Sequence, residues 1–292
     1  MDQRRLLMHQ AMLADRPRVI AYDRALEGAV RGGVVADVGA GTLALSLLAL
    51  RHGAEHVYAI EADPQTAAVA AAVAERNDLK GRLTIVQGDA REVRLPRQAD
   101  VVVSEMMGNL GPEEQMMEIL GAFTRRNLAR GGRVVPKRLL THLVPIEFDR
   151  EGWGLWSDDY FGFRLDAVQE SAAPEAQLCF FQRPPRMLGA PVTLADHRPG
   201  GARPVRRTRR SMTIDRPGRL HAVAGYFTAA LTDGISLTNM PSYSGCNWAV
   251  WVWPLRHTSV SVGDELRVEV RPPDDVRQVT DWRLDCALRK GK

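Results

Sequence analysis

The chain has 292 residues, 45% hydrophobic and 25% charged, the balance of a soluble protein with one large or two modest domains and not of a disordered chain. It has no run of about 18 uncharged apolar residues, and the opening MDQRRLLMHQ lacks the apolar stretch of a signal peptide, so neither a membrane-spanning helix nor secretion is expected. Lys and Arg outnumber Asp and Glu by 39 to 35, a net charge of +4 that is too diffuse to imply nucleic-acid binding.

Leu6, Leu7, Met12 and Leu13 fall near helical spacing, and a second helix is expected after Pro17, a residue suited to a first helical turn. GVVADVGAGT then predicts a short apolar strand running into a glycine-rich turn. LALSLLALRHG reads as a buried helix ending at Gly53, HVYAIEAD as a second strand, and PQTAAVAAAVAERN as an alanine-rich helix opened by proline. RLTIVQGD and ADVVVSE supply a third and a fourth strand. PEEQMMEILGAFTRRNL is expected to form one helix, closed by a turn at Gly131–Gly132 before the strand RVVP. Strands alternating with helices over residues 31–136 predict an α/β Rossmann-like domain, a parallel sheet with helices on both faces.

After Lys137 prolines multiply and short alternating segments take over: LLTHLVPIEF, SMTIDRPGRLHAVAGYF, GISLTNMP, NWAVWVWPL, ELRVEVRPP and WRLDCAL. Residues 137–292 are therefore expected to form an antiparallel β-barrel or sandwich, with an aromatic and then proline-broken excursion near 150–190. The one dense basic run, RPVRRTRR over Arg203–Arg210, reads as a solvated loop or as a contact for an anionic partner. Cys179, Cys246 and Cys286 stand far apart with no CxxC pair, which speaks against a disulfide framework or a thiolate metal site and suits a reducing cytoplasm.

Asp37-Val38-Gly39-Ala40-Gly41-Thr42 ends the first strand. Two glycines let backbone approach a ligand closely, and the following helix offers its positive end there. Glu61 ends the second strand, 20 residues after Gly41, where a carboxylate accepts hydrogen bonds from ribose hydroxyls. GAGTLA also satisfies G-x-G-x-x-A, so a dinucleotide-dependent oxidoreductase stays open. Three features favour S-adenosylmethionine instead: Asp37 just before the turn, Asp89 after the third strand facing an adenine, and an acidic loop after the fourth strand.

That loop runs SEMMGNLGPEEQM from Ser104 to Met116. Glu105 closes a strand at the end where open α/β sheets bind ligands, and Glu114 follows nine residues later across a glycine-proline loop. Two carboxylates facing one cleft repel unless a cation lies between them, and a planar guanidinium with five N–H donors matches them. Glu113 is read as a residue that favours the positive end of the helix starting there.

These segments resemble the protein arginine methyltransferase family, whose double-glutamate loop has the pattern S-E-x-x-G followed by a second glutamate at this spacing. The resemblance extends to MLADRPRVIAYDRAL, with Asp15 and Arg18 three residues apart, to VADVGAGT and YAIEAD, to Tyr160-Phe161-Gly162-Phe163, and to LHAVAGYFTAAL with SLTNMPSYSGCNW. It implies N-terminal helices over residues 1–30 that cover S-adenosylmethionine, a dimerisation arm near 150–190 carrying Trp153, Trp156, Tyr160 and Phe161, and a homodimer. It implies that Arg18 holds the cofactor carboxylate, Glu61 its ribose, and Glu105 with Glu114 the substrate guanidinium of a protein, a peptide or free arginine. A different guanidino or amine metabolite is the alternative substrate. Met12 and Met116 stand either beside the reacting nitrogen or in ordinary core, and Trp248 either borders the arginine channel or packs the barrel.

Several positions depart from the family pattern. Asn247 replaces a histidine and Cys246 a threonine, so a histidine–aspartate relay through Asp15 is in doubt; Met106 stands where an aromatic is common and Arg91 where an acid is, and no tyrosine-bearing closing motif precedes RRLLM.

Overall fold

The computed structural model describes residues 3–148, 161–164, 167, 175–181, 183–201, 206–241, 246–275 and 277–291. Two helices open the chain, α1 (Gln3–Ala14) and α2 (Arg16–Ala29), separated by Asp15, whose carboxylate caps α2 by accepting from the Arg18 N–H. Five strands follow, β1 (Val34–Val38), β2 (His56–Glu61), β3 (Leu83–Gln87), β4 (Ala99–Ser104) and β5 (Leu128–Val135). They pair in parallel in the order β3-β2-β1-β4-β5. Helices α3 (Ala44–Arg51), α4 (Pro64–Arg76) and α5 (Met116–Asn127) connect them. All five residues of β1 are buried, as a central parallel strand covered on both faces requires.

Two local expectations fail here. The helix expected over residues 112–128 is broken: Pro112–Glu114 forms a 3-10 turn, Gln115 adopts φ 55°, and α5 starts only at Met116. The Gly131–Gly132 pair is not a turn before the fifth strand but lies inside β5, where the register jumps from Ala99↔Leu128 to Val101↔Arg133. The extra residues make a bulge, and Gly131 at φ +80° adopts a backbone conformation that side-chain-bearing residues avoid.

The rest of the chain is antiparallel: β6 (Arg138–Glu147), β7 (Gln177–Cys179), β8 (Arg186–Met187), β9 (Val192–His197), β10 (Thr208–Thr213), β11 (Gly218–Thr232), β12 (Ile235–Thr238), β13 (Val250–Val260), β14 (Glu265–Arg271) and β15 (Arg283–Arg289). One sheet is built on β7-β13-β11-β6-β8, with β12 on β11 and β9 on β6; the other is β10-β14-β15. Leu143, Val223 and Trp253 from the first meet Met212, Val268 and Trp282 in one apolar core. A second core runs from β1 and α2 without a break into Phe227, Ala229 and Trp248 of the antiparallel part.

Over its described residues the basic run passes from an exposed Arg206 and Arg207 into a strand, so it is only in part the expected loop. Thr208–Thr213 is strand β10, Arg207 and Arg209 both pair with Glu269, and Arg210 donates to the Thr193 and Leu194 carbonyls. Trp153, Trp156 and Tyr160 lie outside the described residues; from Gln177 the expected excursion already pairs with β13. Among the described residues no helix is long and apolar enough to cross a membrane.

Candidate active site

A cavity of about 320 Å³ opens beside the turn that follows β1. Its walls include His9 and Met12 of α1, Arg18 of α2, Asp37 and Gly39 of the β1 turn, and Glu105 just past β4. The turn is shaped by Gly39 at φ +76° and Gly41 at φ +53°. A Cβ on Gly39 would stand 2.7 Å from the Met106 sulfur, and one on Gly41 3.0 Å from His9 Cε1, so both positions demand the missing side chain. Glu61 fixes the turn from β2: Oε2 accepts from the Gly41 N–H at 2.9 Å and Oε1 from the Asp63 N–H at 2.9 Å.

Arg18 sits at the centre. The Asp15 cap sets it in the first turn of α2, where its buried guanidinium donates from Nη1 to Glu105 Oε2 at 2.7 Å and holds Nε 3.5 Å from Asp15 Oδ2. The guanidinium carbon lies 3.3 Å from the centroid of the Trp248 ring. Nη2 is buried with no hydrogen-bond partner among the described residues. Asp37 mirrors it with the opposite charge: Oδ2 accepts from Ser46 Oγ at 2.7 Å, while Oδ1 is buried and unpartnered. Burial pushes the Asp37 carboxyl up to about 6.

Glu105 is held from behind as well. Tyr22 donates to the Ser104 carbonyl at 2.8 Å, Ser104 Oγ donates to the Val38 carbonyl at 2.7 Å, and Glu105 Oε1 accepts from the Met107 N–H at 3.1 Å. Burial raises its pKa, and the Arg18 charge works against that rise. Glu114 ends the 3-10 turn and is exposed. Desolvation by the surrounding protein, followed by the charges of Glu105 and Glu113, pushes it up to about 7.

The residues expected at the site are therefore brought together unevenly. Arg18 and Glu105, given separate tasks on sequence grounds, are paired with each other. Met12 lines the cavity, whereas Met116 is fully buried beneath the acidic loop with its sulfur 3.4 Å from the Met106 N–H, a core position. Asp89, expected to face an adenine, pairs with Arg91, two residues on, whose fork closes on the carboxylate at 2.6–3.0 Å and holds its pKa low. Asn247 contributes its backbone N–H to Asp15 Oδ2 at 3.3 Å, so Asp15 joins α2 to this loop without any histidine. Trp248 donates to the Met107 carbonyl at 2.8 Å and meets Phe227 edge-on, which sets its ring against Arg18.

Sequence reasoning missed His9 and misread Glu113. His9 precedes Met12 by three residues, one helical turn, so its place on the cavity-facing side was available from spacing alone. Glu113 does not face the start of α5, because Gln115 separates the two; its side chain turns inward, accepting from Leu110 N–H at 2.6 Å and Trp251 Nε1 at 3.1 Å.

A family model described as ribosomal protein L11 methyltransferase matches residues 21–124. A protein named "Probable histone-arginine methyltransferase CARM1" from Oryza sativa subsp. indica is 33% identical over 204 residues, 64% of this chain and 38% of that one. Protein arginine N-methyltransferase 1 of Schizosaccharomyces pombe is 33% identical over 175 residues, covering 58% of this chain and 51% of its own. The chain thus spans about half or less of the length of these relatives. The Trypanosoma brucei PRMT1 enzyme–prozyme heterotetrameric complex with AdoHcy shares the fold with a TM-score of 0.78 at 20% identity, covering 97% of this chain and 93% of the other.

Proposed function

We propose that the chain is a protein arginine methyltransferase, which transfers a methyl group from S-adenosylmethionine to a guanidine nitrogen of arginine, a reading its 33% identity to two arginine methyltransferases supports. The observation that carries the reading is Glu105, buried and paired with Arg18 at 2.7 Å, on the same loop as Glu114, which desolvation and then the charges of Glu105 and Glu113 push up to about 7. Carboxylates so arranged call for a second cation, and a guanidinium supplies a planar one.

The cavity fits the cofactor on its own terms. Among the described residues it contains two buried Arg18 donors without a hydrogen-bond partner, Nη2 and Nε (the latter 3.5 Å from Asp15 Oδ2), and one buried acceptor without a partner, Asp37 Oδ1. An amino-acid end with its carboxylate on Arg18 and its ammonium on Asp37 satisfies Nη2 and Oδ1 at once, whereas a pyrophosphate would leave Asp37 facing like charge. That asymmetry, with the methyltransferase relatives, sets the dinucleotide alternative aside. Glu61, although occupied by two N–H groups, retains lone pairs for a ribose hydroxyl. When bound, S-adenosylmethionine supplies a methyl group already activated by its sulfonium.

The protein's own contribution is then position and charge. Glu105 and Glu114 fix the plane of the guanidinium and draw its positive charge to the nitrogens they bind, leaving one nitrogen's electrons free to face the methyl. The proton leaves after transfer, so a strong base is not required, consistent with Asn247 standing where the family has histidine. Peptide- or protein-bound arginine is the default substrate. The net charge of +4 favours free arginine or a small guanidino metabolite as the second reading, because arginine-rich chains are steered by acidic surfaces.

Release of S-adenosylhomocysteine by the purified protein, measured in parallel with free L-arginine and an arginine-containing peptide, tests both. Turnover on either identifies the substrate class, and cofactor binding with silence on both rejects arginine methylation. We also propose a homodimer, since Phe161 and Phe163 are 87% and 71% exposed, and a cytoplasmic location. A monomer by light scattering at micromolar concentration removes the first.

A further inference from the structure

Adjacent glutamates on a 3-10 turn leave the axis about 120° apart, so Glu113 and Glu114 cannot serve one purpose. Glu114 stays exposed at the end of the turn, while Glu113 turns into the fold to reach Leu110 and Trp251. We infer that Glu113 is a positioning residue, whose carboxylate staples the acidic loop to β13 and thereby sets where Glu105 and Glu114 stand relative to each other. The inference rests on the reading that these two carboxylates hold the substrate guanidinium.

The geometry is that of a hub. A single oxygen, Glu113 Oε1, accepts from the backbone of Leu110, three residues earlier in the loop, and from the indole of Trp251 on β13. The loop backbone closes over the carboxylate: a Cβ on Gly108 would stand 2.6 Å from Glu113 Cδ and Oε2, so only glycine allows this approach. Other bonds hold the same loop to the antiparallel sheet through its backbone and Asn109. Trp248 donates to the Met107 carbonyl, Thr141 to the Leu110 carbonyl, and the Ala249 N–H to Asn109 Oδ1. Glu113 differs from these by being ionisable, with burial raising its pKa against the hydrogen bonds it accepts. Its second oxygen is buried without a partner, and its charge is among those that raise Glu114, with Glu105 beside it and Arg18 opposing. Glu113 thus acts on Glu114 in two separable ways, by holding the loop and by its field.

Two substitutions separate them. Glu113→Ala removes the acceptor; a loop displaced by about 1 Å is expected to lower kcat about a hundredfold, with calorimetric affinity for S-adenosylhomocysteine unchanged. Glu113→Gln keeps an acceptor for Leu110 and Trp251 but removes the charge. It is expected to recover most of the lost turnover and to move the ionisation of Glu114 to lower pH. That ionisation is read by carbon NMR of labelled glutamate carboxyls, independently of turnover. Trp251→Phe, which removes one donor and keeps the ring, is expected to fall between Glu113→Ala and the parent chain. Wild-type turnover in Glu113→Ala, or a Glu114 ionisation unmoved in Glu113→Gln, overturns the inference. A parent chain that binds cofactor yet methylates no guanidine rejects the proposed reaction instead, and the NMR titration still decides whether Glu113 governs Glu114.

Discussion

The ring of Trp248 lies against the guanidinium of Arg18, its centroid 3.3 Å from the guanidinium carbon, and both side chains are almost wholly withdrawn from water. A cation over an aromatic face gains most when desolvated, about 2 kcal/mol, and the weakly hydrated guanidinium suits that site better than an ammonium. The ring also blocks one face of Arg18, so its fork lies in a fixed plane with Nη1 on Glu105 and Nη2 left for a ligand. Trp248→Leu is therefore expected to weaken S-adenosylhomocysteine binding by about thirtyfold, the equivalent of that energy, while the fold survives. Calorimetric titration of the two proteins at one ionic strength checks it.

Glu114 sets a pH limit. Its pKa of about 7 means that about half of it is protonated at neutral pH, and a protonated carboxyl attracts a guanidinium far less. Because the group is an acid raised above its ordinary value, binding competence is gained as pH rises through about 7 and lost below it. The kcat/KM for a guanidine substrate reports the free enzyme and is expected to climb about tenfold between pH 6 and pH 8. Glu114→Gln is expected to abolish that climb together with nearly all turnover. A profile flat from pH 6 to 8 in the parent chain contradicts this assignment.

The parallel half of the fold was legible because its signals are local. Valine runs, an aspartate–glycine turn and a glutamate at the end of β2 each announce themselves within ten residues, and Asp37, Gly39, Gly41 and Glu61 stand together as that pattern implies. The acidic loop was legible only in part. Nothing near Gln115 in the sequence announces a left-handed residue, so a helix was expected to run through it, and Glu113 was misread along with it. Its true partner, Trp251, lies 138 residues away, and the stacking of Trp248 on Arg18 joins segments equally remote. The segment holding Arg209 was read as loop for the same reason, since the strand it pairs with, β14, is beyond the reach of any local pattern.

Asp37 carries a stability cost that depends on pH. Burial raises its pKa from 3.8 to about 6, so the fold favours the neutral acid. The contribution is most favourable below the unfolded value and is lost as pH rises through about 6, at a cost of about 3 kcal/mol once the group is fully ionised. Asp37→Asn removes the titration. Its stability relative to the parent chain is expected to improve steadily from pH 4 to pH 7, by roughly that amount, in urea unfolding. The same variant is expected to bind S-adenosylhomocysteine more weakly, because the ammonium loses its counter-charge. A constant stability difference across this range rules out the buried-acid account.

Asn239 is wholly buried and uses its amide completely: Oδ1 accepts from the Phe227 N–H at 2.9 Å, and Nδ2 donates to the carbonyls of Asn109 and Ala249, each at 2.7 Å. It thereby fastens the acidic loop to β11 and to the start of β13. Asn239→Ala strands one buried donor and two carbonyls and is expected to cost about 3 kcal/mol. Asn239→Asp is nearly isosteric, yet it keeps the acceptor for Phe227 while turning an oxygen toward two carbonyl oxygens. The aspartate is expected to be the more damaging substitution at pH 8 and to regain stability as pH falls and its carboxyl takes up a proton. Urea unfolding of the two variants at pH 5 and pH 8 checks the order, and an alanine variant less stable than aspartate at pH 8 contradicts the donor role of Nδ2.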